Sequence, residues 1–201
     1  MKQFIEINIV NREQFGYNNE ITDLMIPSTI NIEGIDYIVN SIDKHTFAMC
    51  DNLKSVEIPD TVNKIRFCTF AGCSNLTSVT IPDSIVAISD YAFYECRSLS
   101  DLIIPDSVKR IGISAFNKCI SLRNIIISNG INTINDGTFC GCTNLNNIVI
   151  PDSVNRIKYY AFEGCNNLKN VYYLGNMDEW EKINIDPYND YLLKANIIFS
   201  E

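Results

Sequence analysis

Apolar side chains recur along this chain at a fixed interval of 23 residues, with mostly polar side chains between them. Phenylalanine stands at Phe47, Phe70, Phe93, Phe116, Phe139 and Phe162. Cysteine follows at Cys50, Cys73, Cys96, Cys119, Cys142 and Cys165, and leucine at Leu53, Leu76, Leu99, Leu122, Leu145 and Leu168. An Ile-Pro pair keeps the same register at Ile58, Ile81, Ile104 and Ile150, with Ile127-Ser128 in the remaining place. Several columns in one register define a tandem repeat. A unit this short cannot bury both of its faces, so neighbours must stack into one continuous core, which is a solenoid.

The unit from Leu76 to Cys96 predicts the course of one coil. Leu76, Val79 and Ile81 turn inward, the last two at the strand period of two, and Thr80 is left on the other face. Pro82 ends the strand, and Asp83-Ser84 supplies side-chain oxygens for local amides in a turn. Ile85 and Ile88 return apolar weight at a spacing of three, followed by Ala92, Phe93 and Cys96 on a short helical turn. A period of 20–29 residues carrying L-x-x-[IV]-x-[IL] is that of leucine-rich repeats. The expected fold is an α/β repeat solenoid with seven strands in one parallel sheet and short helical return turns.

Residues 1–201 read as a single domain. Residues 1–20 form an N-terminal cap strand, with Ile5, Ile7 and Ile9 alternating with Glu6 and Asn8. Residues 21–52 form the first coil. Its strand template, Ile21 to Pro27, lies nine residues too far from the next, and the excess reads as a hairpin. Ile30 and Ile32, then Glu33-Gly34, then Ile35, Tyr37 and Val39 alternate on either side of a turn. Five repeats fill 53–167. The last strand and a C-terminal α/β cap occupy 168–201, where Asn176 and Glu179 have capping-box spacing and Trp180 and Ile183 share a helix face. Ile197 and Phe199 are expected to form a final strand that pairs with this cap.

Composition narrows the chemistry. Sixteen Lys plus Arg against 24 Asp plus Glu give a net charge of −8, which opposes nucleic-acid binding because phosphate contacts need clustered cations. The longest apolar runs are only a few residues, so no membrane insertion is expected. A single histidine, His45, two residues before Phe47, leaves little for a His-centred triad or a multi-His metal site. Neither catalytic residues nor a cofactor is expected. The segment MKQFIEINIVNREQF places Glu6, Arg12 and Glu13 where a leader would be apolar, so no signal peptide is read.

With these features in view, the stretch IPDSVKRIGISAFNKC at 104–119 closely resembles the units of the BspA-like leucine-rich repeat family. MIPSTINIEGIDYIVNSI resembles that family's opening hairpin, and VYYLGNMDEWEKI followed by ANIIF resembles its closing cap. The resemblance covers essentially the whole chain. It implies a right-handed solenoid used for adhesion or protein recognition, often at a microbial surface, and carries over no catalytic residue.

Three columns invite functional readings. The eight cysteines include six in one column beside the Phe position, and stacked parallel side chains keep Cβ atoms too far apart to bridge, so inert core thiols are expected. Zinc would need converging thiolates, and Cys140-Gly-Cys142 is the only short pairing. Asp60, Asp83, Asp106 and Asp152, with Asn129 in the fifth place, could hold calcium as stacked carboxylates, but local turn bonding is the better reading and no metal is expected.

The third column is the outward residue of each strand: Glu57, Thr80, Ile103, Ile126, Val149 and Tyr172. Four adjacent apolar side chains on a solenoid's strand face would form a contiguous patch of the kind that marks partner sites. Ser55, Ser78, Asp101, Asn124, Asn147 and Asn170 would give it a polar rim. The expected function is a protein-recognition or adhesion scaffold, with self-association as one form of partnering. The alternative is a carbohydrate-binding surface module, which would show aromatic rows where only Tyr172 is favourably placed. Trp180 reads as cap core, and Asn75-Leu-Thr77 matches a glycosylation sequon.

Overall fold

In the computed structural model, which describes residues 3–7 and 21–200, the chain is a parallel-strand β-solenoid of about six turns with very little helix. The elements before the regular repeats are β1 (Gln3–Ile7), β2 (Asp23–Met25), β3 (Thr29–Ile32) and β4 (Ile35–Ile42). Each coil then supplies two strands: β5 (Ser55–Glu57) and β6 (Lys64–Ile65), β7 (Ser78–Thr80) and β8 (Ala87–Ile88), β9 (Asp101–Ile103) and β10 (Arg110–Ile111), β11 (Asn124–Ile126) and β12 (Thr133–Ile134), β13 (Asn147–Ile150) and β14 (Arg156–Ile157). After them come β15 (Asn170–Tyr173), α1 (Met177–Trp180), β16 (Asn184–Ile185), α2 (Asp190–Leu193) and β17 (Asn196–Phe199).

The repeat columns become layers of one core. Consecutive Phe rings from Phe47 to Phe162 stack with centroids 5.4–5.7 Å apart, so the spine is continuous through six coils. The Leu column is buried throughout, and so are Ile65, Ile88, Ile111, Ile134 and Ile157 on the return strands. Hydroxyls tie coil to coil at the turn after each strand. Thr61 donates to the Val39 carbonyl at 2.6 Å, Ser84 to Val62 at 2.6 Å, Ser107 to Ile85 at 2.8 Å and Ser153 to Ile131 at 2.7 Å. The turn hydroxyls therefore reach the preceding coil, where a local Asx or Ser turn was expected.

Three fold expectations need correction. The return segment is not helical. Its Ile85–Ile88 part ends in a two-residue strand, and the following turn places Tyr91 and Glu95 in the left-handed region at φ 57° and 55°. The amides of Tyr91, Phe93 and Glu95 donate to Ile113, Ala115 and Asn117 of the next coil at 2.8–2.9 Å. Donors that a helix would use internally are committed between coils instead.

The main sheet is also not one run of seven strands. It has two sections, β2-β5-β7 and β9-β11-β13-β15-β17. Beside the break, Val79 and Ile81 stay half-buried while Leu102 and Ile104 of the next coil are buried.

At the N-terminal side, β3 and β4 form the expected antiparallel hairpin, turning at Glu33 and Gly34 with φ 51° and 82°. β1 pairs parallel with β4, and Ile9 lies outside the described residues. At the C-terminal side, Asn176 and Glu179 complete a capping box on α1. β17 does not pair with this segment as expected. It joins β15 in parallel, because Ile197 and Phe199 continue the inward alternation of Val171 and Tyr173.

Candidate recognition surface

The strand face is built by register. Parallel pairing aligns Asp101, Asn124, Asn147, Asn170 and Asn196 in one row, and Ile103, Ile126, Val149, Tyr172 and Ile198 in a second row two residues further on. Both rows lie on the face opposite Leu102, Ile125, Ile148 and Val171, which are buried. Ile103 is 74% exposed, Ile126 50% and Tyr172 38%, while Val149 is half-buried between its neighbours. Glu57 and Thr80 are exposed on the first section of the sheet, in register with Met25. The polar-to-apolar change therefore coincides with the break between β7 and β9.

Sequence reasoning missed both ends of this row. Ile198 belongs to it because β17 joins the main sheet, and the outward-inward alternation of Asn196 to Phe199 carried that signal. Met25, 73% exposed, begins the row on β2.

The flanking polar row is an amide ladder. Asn147 Nδ2 donates to Asn124 Oδ1 and Asn170 Nδ2 to Asn147 Oδ1, both at 2.9 Å, and Asn196 Nδ2 approaches Asn170 Oδ1 at 3.5 Å. Each side chain is thereby held upright beside the apolar row. Next to the ladder lies a shallow groove of about 460 Å³ lined by Arg123, Asn124, Asn144, Asn146, Asn147 and Asn167.

Charge is distributed unevenly between the turns and this face. Lys118 and Arg97 are engaged by Glu95 at 2.8 and 2.9 Å, and these bonds, with one from Tyr94, hold the Glu95 carboxyl down at about 2. Arg123 and Lys169, on the rim beside Asn124 and Asn170, meet no carboxylate among the described residues.

The other columns serve the fold. The thiols of Cys73, Cys96, Cys119, Cys142 and Cys165 donate to the Phe carbonyl of the preceding coil at 3.0–3.2 Å, and no cysteine is bridged among the described residues. Burial pushes the Cys96, Cys119 and Cys142 thiols far up and Cys165 up to about 12. Asp106 accepts from the Asn129 amide at 3.0 Å, and no group of three potential metal ligands converges among the described residues. His45 packs edge-on against Phe67, and Trp180 against Tyr173. Tyr172 is the one aromatic side chain of the outward row, whereas Phe67, Tyr91 and Tyr94 cluster in the return turns.

Residues 40–169 match the BspA type leucine-rich repeat region, in six copies. The chain belongs to the BspA-type leucine-rich repeat family. A leucine-rich repeat protein of T. pallidum is similar over 84% of this chain and 78% of its own length, with 26% identity and a TM-score of 0.72. One from Bacteroides ovatus is 27% identical with a TM-score of 0.64, and this BspA-type chain covers 48% of it. The pneumococcal vaccine antigen PcpA shares the fold at 20% identity, with a TM-score of 0.67 over 90% of this chain and 42% of its own. No curated protein matches the chain. The family and its neighbours make this BspA-type chain a repeat scaffold.

Proposed function

We propose that this solenoid is a protein-recognition or adhesion scaffold that binds its partner through the strand face, without catalysis of its own. The observation that carries the reading is the outward row of exposed Ile103, Ile126 and Tyr172 with half-buried Val149 and Ile198 on five hydrogen-bonded strands. Contiguous apolar surface in water is unfavourable by roughly 25 cal/mol per Å² and gains that energy when a partner covers it. The amide ladder beside the row supplies the polar rim that such interfaces carry.

The two ends act as caps in this reading. Trp180 and Phe199 pack on the Tyr173 ring, the Asn189 side chain accepts from the Phe162 amide, and Val39 and Ile42 of β4 join the core, with Thr61 donating to the Val39 carbonyl. A scaffold of this kind needs both, because an open coil would expose its inner apolar row.

Photo-crosslinking tests the assignment. A photoreactive residue at Ile126 should capture a partner protein, identified by mass spectrometry, that the same residue at Val86 on the return segment does not. Equal capture from both positions would remove the strand face from the account.

A further inference from the structure

We infer that the occupant of the strand face is an amphipathic helix of a protein partner, with its apolar stripe on the row from Ile103 to Ile198 and an acidic flank turned toward Arg123 and Lys169. This rests on the reading of the strand face as the recognition surface and specifies the partner's chemistry.

Spacing selects a helix. Hydrogen-bonded strands lie ~4.8 Å apart, so five row residues span about 19 Å. A helix lying across the strands repeats its apolar face every 5.4 Å, and its mismatch over four steps is about 2.4 Å. Alternate residues of an extended chain are ~6.8 Å apart and would drift by about 8 Å over the same four steps. About four helical turns, or ~14 residues, stay in step with the row.

Charge selects its flank. In a chain of net charge −8, Arg123 and Lys169 stand on one rim with no carboxylate partner among the described residues. They are two coils apart, roughly 10 Å, which matches carboxylates at i and i+7 of a helix, about 10.5 Å. Arg123 lies in the asparagine-lined groove, where its guanidinium fork and neighbouring amide donors suit a carboxylate. The negative net charge keeps extended polyanions away, so the match is to an acidic side chain beside an apolar one rather than to a polyanion.

Fluorescence anisotropy with three labelled 14-residue peptides tests this. The first is a leucine-faced helix with Glu at i and i+7 on one flank, the second carries Lys in place of those Glu residues, and the third has the first peptide's composition in strict alternation. The Glu helix should bind at least tenfold tighter than either of the others, and more weakly as salt rises. Arg123→Glu with Lys169→Glu should reverse the order of the two helices. Equal binding of the two helices, or of helix and alternating peptide, overturns the inference, as does a protein dimer in sedimentation that the Glu helix fails to dissolve. Ile126→Ser with Val149→Ser should abolish binding of every peptide. If that double variant loses binding while the charge changes do nothing, the acidic-helix inference falls and the strand-face reading stands. If it binds the Glu helix as the parent does, the strand-face reading itself falls.

Discussion

The thiol of Cys119 donates to the carbonyl oxygen of Phe93, 3.2 Å away in the preceding coil. Cys73, Cys96, Cys142 and Cys165 make the same bond, each to the Phe 26 residues earlier. The cysteine column is thus a ladder of small buried donors that adds a second hydrogen bond to one carbonyl per coil, each already bonded to the amide three residues on, beside the stacked Phe rings. Replacing Cys119 with Ala should cost about 1 kcal/mol, since the Phe93 carbonyl loses its second donor but keeps the Cys96 amide at 3.1 Å. Ser, which keeps a donor, should cost less. Urea unfolding of the two variants checks the order.

The same ladder makes stability fall at alkaline pH. In the unfolded chain these thiols ionise near the ordinary value of 9.0, while burial raises Cys96, Cys119, Cys142 and Cys165 above it in the fold. The folded state then holds more protons than the unfolded one, so their contribution is fully present below about pH 9 and is lost as pH rises toward 12. The slope should reach about 1.4 kcal/mol per pH unit per thiol within that window. Cys119→Ser removes one ionising group and should flatten the slope between pH 9 and 10.5 in denaturant melts. Thiol titration should count close to eight free thiols after denaturation without reductant, and few before it.

One coil departs from the hydroxyl pattern and repairs itself. Gly130 occupies the place of Ser84, Ser107 and Ser153, and Ser128, in the place of proline, donates to the Val108 carbonyl at 2.8 Å instead. Ser128→Ala should therefore destabilise by about 1–2 kcal/mol. Gly130→Ser should not rescue it, because a Cβ there would lie 2.8 Å from the Val108 oxygen. Denaturant melts of the single and double variants decide this.

The C-terminal segment should prove necessary for solubility. Residues 175–201 contribute buried Ile183 and Leu192, and Trp180 and Phe199 pack on the Tyr173 ring. Their removal would bare Tyr173 and the free edge of β15. Light scattering should show aggregation of the chain ending at residue 174, and a monomer melting at the parent temperature would contradict the capping role.

Much of this was legible in the sequence because repetition multiplies weak signals. One Phe-x-x-Cys-x-x-Leu means little, but six in register mark a core layer, and the outward positions follow from strand alternation. What stayed hidden depended on residues without a type signature. Tyr91 and Glu95 take left-handed φ values that glycine would have advertised, as it does at Gly72 and Gly141, so the return turns read as helical. The amide ladder rests on side-chain rotamers. The break between β7 and β9 interrupts a column of inward apolar residues, Val56, Val79 and Leu102, in which no change of character marks it.

The strand-face row should tolerate polar substitution. Ile126→Ser with Val149→Ser should cost about 1–2 kcal/mol, given that Val149 is half-buried. The same change at the buried pair Ile125 and Ile148 should cost well over 3 kcal/mol through cavities and unpaired hydroxyls. Thermal melts of the two double variants make the comparison.

The most direct test of the recognition role is partner capture by the folded Ile126→Ser, Val149→Ser variant. A photoreactive residue at Ile103, on the neighbouring strand, should crosslink the partner in the parent protein and lose at least tenfold of that yield in the variant, with circular dichroism unchanged. Undiminished capture by the folded variant would contradict the account.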